Sequence, residues 1–390
     1  MITKINAIIG NLEQSAIRAI SFRCAELNGI NLGQGICDHP VHPAIKQAAI
    51  DAINHDKNIY VPMQGISELR QAIAQKMQGF NKVPCAEDNV LVTHGATGAF
   101  VSAAKTLFSP GDEVILFEPF YGYHKKLLEM LSIQVKALPL VGDNYALDVD
   151  ALRSAIGPRT RAILICTPCN PCGKVFTREE LIAMGDLAIE KDLYVLTDEM
   201  YEYITYPGHE HCSLASLGEQ YFDRTITISG FSKTYNITGW RMGYLVAAKD
   251  ILEKIALAND LFYICAASSF QYACLAALSL PQSYYTDMRA MYLENRDFFV
   301  NGLREIGFSV TLPKGAYYTL ADFSKLRLAD SDNPAMVLLE ETRVAAVDGR
   351  AFYNDEAKGR HIFRFCFSSS KDQLEKALEQ MSQSQLLRSK

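Results

Sequence analysis

No apolar run in this 390-residue chain is long and uninterrupted enough to cross a bilayer. The most apolar long stretch, Ile255 to Leu280, is broken by Asn259, Asp260 and Gln271, so it predicts a buried helix or pair of helices. The N-terminal ten residues, Met1 to Gly10, have no extended apolar region and no small-residue cleavage pattern, so an export signal is not expected. No long block of like charge occurs either. A formal net charge of −6 with 21% charged residues argues against nucleic acid or an anionic membrane as partner. Internal repeats and low-complexity linkers are also absent. What remains is 49% hydrophobic, ample for one large domain and a smaller one. Ten cysteines scattered without an export signal predict reduced thiols and a cytoplasmic protein.

Short apolar runs alternate with helix-like segments through the middle of the chain. Val90–Thr93, Glu113–Phe117, Arg161–Cys166, Leu193–Thr197, Thr225–Ile228 and Tyr244–Ala248 read as buried strands. Gly98–Leu107, Thr177–Lys191 and Asp250–Asp260 read as helices between them. This rhythm predicts an α/β fold, a mostly parallel sheet with helices on both faces. After about Leu280 the style changes to longer helices with short strands at Gly315–Leu320 and Ile362–Phe367, a second α+β domain. The expected division is 1–45 as an arm or part of the small domain, 46–282 as the large domain and 283–390 as the small one.

Ligands of open α/β sheets bind beyond the carboxyl ends of the strands, and four polar clusters fall there. His94-Gly-Ala-Thr-Gly-Ala99 opens a helix directly after a strand. It offers free backbone N–H groups to a phosphate, though such glycine turns are also common as plain connections. Thr167-Pro-Cys-Asn-Pro-Cys-Gly173 presents the Asn170 amide rigidly between prolines. Asp198, at the end of a hydrophobic strand, needs a cationic partner such as a protonated ring nitrogen, unless it is only a helix cap. Tyr201 follows three residues later and either donates to the same ring or packs in the core. Finally, Lys233 lies at a strand-to-loop junction with Arg241 eight residues on. A lysine there suits imine chemistry with an aldehyde cofactor whose phosphate the arginine holds. Taken alone, that pair reads far more readily as surface residues in a loop, so the case rests on what accompanies it. Amine, carboxylate, amide, hydroxyl and phosphate cradle together are what pyridoxal phosphate requires.

The chain resembles the class I/II aminotransferases, enzymes of the PLP-transferase fold type I, over nearly its whole length. Gly230, Phe231, Ser232, Lys233, Asn236, Gly239, Arg241, Met242 and Gly243 match the family's lysine signature. Asn170-Pro171 with Gly173 resembles its Asn-Pro-x-Gly element, Asp198 with Tyr201 its Asp-x-x-Tyr element, and Gly95-Ala96-Thr97 its phosphate loop. Asn31–Gly35 is similar to its N-terminal glycine stretch. The resemblance implies a mostly parallel seven-stranded sheet and pyridoxal 5′-phosphate bound through Lys233. It implies Asp198 at the ring nitrogen, Tyr201 and Asn170 at the ring oxygen, Tyr121 stacked on the ring, and Gly95, Ala96, Thr97, Ser232 and Arg241 around the phosphate. Arg364, with Gly35 and Asn170, would hold the substrate carboxylate, and Tyr60 would reach the neighbouring site of a homodimer. The implied reaction moves an amino group from an L-amino acid to a 2-oxo acid by a ping-pong mechanism.

Departures leave the substrate open. Cys172 stands where the family favours Thr or Ser, Gly230 stands where some branches place a phosphate-binding serine, and no second arginine for a dicarboxylate is evident. A β-elimination (C–S) lyase uses the same residues. From another class, Cys166, Cys169 and Cys172 have the spacing of part of an iron–sulfur or zinc site, but no fourth cysteine follows at matching spacing. No metal is expected. The histidines, including the loop pair His209 and His211, have a solvated or packing role as their plain expectation. A non-catalytic regulator of this fold is disfavoured by the retained Lys233.

Overall fold

The computed structural model describes residues 7–10 and 16–390. Its centre is a seven-stranded sheet made of β1 (Val90–His94), β2 (Glu113–Glu118), β3 (Gln134–Pro139), β4 (Thr160–Cys166), β5 (Tyr194–Asp198), β6 (Thr225–Gly230) and β7 (Met242–Val246). The order is β1-β7-β6-β5-β4-β2-β3. β7 runs antiparallel to β1 and β6, and the remaining pairings are parallel.

Successive residues of a strand face opposite sides, and here both sides are covered. Val114, Leu116, Ala162, Leu164 and Leu196 pack against Ala99, Phe100, Leu252 and Ile255 of two helices. Ile115, Phe117, Ile163, Ile165 and Val195 pack against Leu181, Met184 and Leu187 on the other side. Helices on both faces explain why the central strands are near-continuous apolar runs. The sequence reading anticipates six of these strands and misses β3. Its edge position leaves Gln134 and Pro139 exposed, so it lacks that apolar signature.

The helices that place the site are α1 (Ser67–Lys76), α2 (Gly95–Leu107), α3 (Gly122–Met130), α4 (Arg178–Glu190), α5 (Lys249–Tyr263), α6 (Ser268–Leu278) and α7 (Gln282–Ile306). The broken apolar stretch thus resolves into the end of α5 and all of α6, a pair of helices. α4 starts at a capping box in which Thr177 and Glu180 satisfy each other's backbone N–H groups.

The C-terminal part builds a four-stranded antiparallel sheet from β8 (Ser309–Val310), β9 (Tyr318–Asp322), β10 (Val347–Asp348) and β11 (Ile362–Cys366), in the order β10-β11-β9-β8. Ile20, Cys24, Leu32 and Cys37 share its core with Phe363, Phe365 and Leu374. Ile30–Asn31 pairs in parallel with Val344–Ala345. Residues 1–6 and 11–15 of the expected arm lie outside the described residues. No helix among the described residues is long and apolar enough to cross a membrane.

Candidate active site

Four strand ends of the large sheet converge with β9 and β11 of the small one. Lys233 follows β6 and is partly shielded from solvent. Its Nζ donates to the carbonyl of Gly35 at 2.9 Å. Burial lowers its pKa to about 8, with Arg364 and Arg241 pushing the same way and Cys366 and Cys37 opposing. A lysine so placed carries about a tenth of its amine unprotonated at pH 7, far more than an ordinary lysine, which favours a nucleophilic role.

Asp198 ends β5 and is buried. One carboxylate oxygen accepts from the Met200 N–H at 3.1 Å, and the other lies 3.2 Å from Nε2 of His124. His124 stands in the first turn of α3, three residues after Tyr121, whose ring meets it edge-on at 5.3 Å. Burial raises the Tyr121 phenol pKa, the neighbouring Tyr318, Tyr123 and Asp198 add to this, and Arg364 opposes it. The plain packing role expected for the histidines is therefore corrected at His124, whose ring nitrogen lies against the Asp198 carboxylate. The signal was its position on the same face as Tyr121.

Arg364 lies in β11 and is 1% exposed. Its Nη1 donates to Oδ1 of Asn170 at 2.9 Å and its Nη2 to the carbonyl of Gly33. The guanidinium sits over the rings of Tyr318 and Phe352, 4.5 and 5.1 Å from their centroids. Its Nε has no partner, and both hydrogen-bonded partners are neutral. A buried cation without an anion is expensive unless a ligand supplies one. Asn170 follows β4, and its backbone N–H lies 3.5 Å from the Cys166 sulfur. Asn31 shapes the turn holding Gly33 and Gly35 by accepting from the Gly33 and Gln34 N–H groups at 3.0 and 3.1 Å. At Gly35 a Cβ would come within 1.8 Å of the Tyr318 hydroxyl, so only glycine lets that turn close over the site.

Tyr201 is buried, and its hydroxyl pairs with that of Tyr318 at 3.0 Å. Tyr318 thus touches Tyr201 and Arg364 at once. Gly95 (φ +65°) opens α2, and a Cβ there would sit 2.6 Å from Nη2 of Arg241. Arg241 itself is left-handed at φ 57°. Gly243 lies so close beneath this turn that its Cβ would reach within 2.4 Å of the Gly95 carbonyl carbon. Ala96 and Thr97 occupy the same first turn, and Ser232 is buried beside Lys233. Tyr60, at 77% exposure, stands apart, and no hydrogen bond or ring contact joins it to this cluster among the described residues.

The three thiols do not form a metal centre. The Cys166 and Cys169 sulfurs contact the carbonyls of Pro168 and Pro119, and Cys166, Cys169, Cys172 and Leu320 form a small apolar cluster. The only set of three or more possible metal-ligating groups among the described residues is Glu199, Glu202 and His211. The expected solvation of the loop pair is corrected at His211, whose side chain is 3% exposed and lies 2.8 Å from Glu199.

An amine at a strand end, a buried carboxylate opposite an aromatic ring and a glycine-floored helix start define a pyridoxal-phosphate enzyme of fold type I. The chain belongs to the aminotransferase class I and II family, whose model matches residues 28–381. It is 36% identical over 375 residues to a probable N-succinyldiaminopimelate aminotransferase, DapC, of Mycobacterium tuberculosis, covering 93% of this chain and 94% of that one. It is 34% identical to a probable aspartate aminotransferase of Methanocaldococcus jannaschii, covering 94% and 96%. The solved N-succinyldiaminopimelate aminotransferase of M. tuberculosis superposes with a TM-score of 0.91 at 34% identity, covering 97% and 99%. The protein is therefore a pyridoxal-phosphate-dependent aminotransferase. The residues fit that cofactor: Gly95 opens α2 at φ +65° with the Arg241 guanidinium beside it, the Lys233 amine has the neutral Gly35 carbonyl as its hydrogen-bond partner, and the Asp198 carboxylate meets the Met200 N–H and the His124 ring.

Proposed function

We propose that the chain moves an amino group from an L-amino acid with an uncharged side chain to a 2-oxo acid, in two half-reactions at one site. The observation that carries this is the buried, anion-less Arg364 facing Asn170 in the same cluster as a lysine of lowered pKa. When bound, pyridoxal phosphate supplies an aldehyde for amines and an electron sink that acidifies the hydrogen on the substrate's α-carbon. Lys233 is the amine that would hold it. Once released from it as the free base, the Lys233 Nζ would be the group that carries that proton.

Asp198, oriented by His124 and the Met200 N–H, would keep the ring nitrogen protonated. Tyr201 and Asn170 would bond the ring oxygen, and Tyr121 would cover one ring face. Gly95, Ala96, Thr97, Ser232 and Arg241 would bind the phosphate. Arg364 would grip the substrate carboxylate as a two-pronged donor, with Gly35 and Asn170 beside it. The walls near Arg364 are Tyr318, Phe352 and Tyr121, which favour an apolar or aromatic donor over a second anion.

The proposal extends to a cytoplasmic homodimer in which Tyr60 completes the partner's phosphate site. Ile59 at 75%, Tyr60 at 77% and Leu261 at 87% exposure support a covering surface. The ten free cysteines suit a reducing compartment. The 1–45, 46–282 and 283–390 division remains the proposed domain scheme.

The test is Lys233→Ala with a panel of L-amino acids. Loss of turnover and of the adduct trapped by borohydride at position 233 is expected. Full transaminase activity in that variant would refute the assignment. Release of pyruvate and ammonia without an oxo acid would instead favour β-elimination.

A further inference from the structure

The turn after β5 carries two pairs of residues at i, i+3 spacing. Asp198 and Tyr201 face His124 and Tyr318, whereas Glu199 and Glu202 face the opposite way, at 0% and 3% exposure. Glu199 accepts from Thr197 Oγ1 at 3.0 Å and Ser213 Oγ at 2.5 Å, and meets His211 Nε2 at 2.8 Å. Glu202 pairs with Lys76 Nζ at 2.5 Å and accepts from Ser229 Oγ at 2.9 Å, Tyr244 Oη at 3.2 Å and Asn81 Nδ2 at 2.8 Å. Asn81 also donates to Ser213 Oγ at 3.0 Å.

The sequence places these groups by an unusual device. α1 ends at Lys76 and continues as one π-helical turn, Met77–Asn81. The extra residue of a π-turn re-aims the side chains that follow it, a feature common at functional sites. Here the buried Asn81 is brought between the two carboxylates, and Lys76 is enclosed by the rings of Phe80, Tyr203 and Tyr244 at 5.4, 5.3 and 5.6 Å. The inward carboxylate oxygens already accept N–H and O–H donors, and Lys76 fills the cationic role, so the cluster is an ion network and not a metal centre. It is not fully satisfied, since Asn81 Oδ1 and His211 Nδ1 lack partners. Buried networks of this kind add little net stability compared with apolar packing. Their use is geometric.

We infer that Lys76, Asn81, Glu199, Glu202 and His211 are positioning residues that fix the 198–202 turn, and through it the Asp198 carboxylate and the Tyr201 hydroxyl. The network anchors that turn to α1, to β6 through Ser229 and to β7 through Tyr244, while the Glu199 N–H bonds the Ile228 carbonyl at 2.8 Å. This rests on the roles proposed above for Asp198 and Tyr201.

The test compares Lys76→Met, Glu202→Gln and the double variant as holoenzymes, with Asp198→Ala in parallel. Lys76→Met leaves Glu202 buried and unpaired. Because sub-ångström placement of reacting groups controls rate, kcat should fall about tenfold or more. KM should stay within about twofold because Arg364 is untouched, and the pH midpoint of the bound cofactor's visible absorbance should move. Adding Glu202→Gln removes the stranded charge and should restore part of the lost kcat, the coupling expected of contacting partners. Glu202→Gln alone keeps the shape and should give a smaller shift of the same midpoint, which covers the case of a poorly folding Lys76→Met. If Asp198→Ala moves the midpoint and neither network variant does, while both only melt lower, the network inference fails alone. If Asp198→Ala leaves the midpoint unchanged, the inference and the site assignment fail together.

Discussion

Replacing Arg364 by methionine separates binding from stability. The guanidinium is 1% exposed, and its partners are the Asn170 amide oxygen and the Gly33 carbonyl, both neutral. Two charge-assisted hydrogen bonds to a substrate carboxylate are worth about 1.5–3 kcal/mol each, or roughly 3–6 kcal/mol together. Arg364→Met should therefore lower kcat/KM by about 10²- to 10⁴-fold, for amino acid and oxo acid alike, at about 1.4 kcal/mol per factor of ten. Stability should move differently. Two acceptors lose a donor, costing about 1–3 kcal/mol each if water cannot reach them. Against this, a desolvated cation with no anion is removed, and exchanging buried charge for apolar volume is often neutral or stabilising by about 1–4 kcal/mol. Where water enters the space left by the guanidinium and satisfies the two acceptors, the variant should melt no lower than the parent. An oxo acid at a hundred times its Kd should stabilise the parent by about 2.7 kcal/mol and leave Arg364→Met unmoved. Thermal melts with and without oxo acid, beside steady-state kinetics, provide the assay. A variant that melts several degrees lower while keeping its KM would show Arg364 to be a strut and would refute the reasoning.

In the cofactor-free protein, acylation of Lys233 followed by mass spectrometry should rise with a midpoint near pH 8, against about 10.4 for ordinary lysines; a midpoint above 10 would contradict the burial argument. Because this pKa is depressed, the folded chain binds fewer protons than the unfolded one between about 8 and 10.4. The destabilising contribution of Lys233 is thus complete below pH 8 and should fade as pH rises through that window, visible as a difference from Lys233→Met in denaturant titrations. Gly243→Ala would drive a Cβ to 2.4 Å from main-chain carbon, so it should reduce both melting temperature and cofactor affinity. Gly95→Ala meets mainly the end of the Arg241 side chain and a φ of +65°, so about tenfold weaker cofactor binding with a smaller stability loss is expected from equilibrium dialysis. Tyr318→Phe removes the hydroxyl paired with Tyr201 and should shift the absorbance titration of the bound cofactor while leaving the fold intact.

Much of this was legible before any coordinates. Buried parallel strands announce themselves by composition, and the residues proposed to face the cofactor lie in contiguous motifs next to those strands, as at Ser232-Lys233 and Asn170-Pro171. β3 was not legible because an edge strand needs no apolar face on its open side. His124 and Tyr318 were missed because their importance lies in what they touch across 74 and 117 residues of chain, Asp198 and Tyr201 respectively. The Lys76–Glu202 pair was missed for the same reason, and because a π-turn has no reliable sequence mark.

The cradle under Gly95 is built from main chain: Gly243 and Gly230 let neighbouring strands and the helix start approach where any Cβ would collide. Such a surface has no side chains to vary, so drift in sequence can only break it, never retune it. Beside Arg364 the reverse holds at Phe352, whose ring lies 5.1 Å from the guanidinium and has no other role at the site. On the proposed assignment, one chain would keep a main-chain floor for its vitamin and a replaceable ring beside its amino acid, so the choice of substrate could change without touching the chemistry.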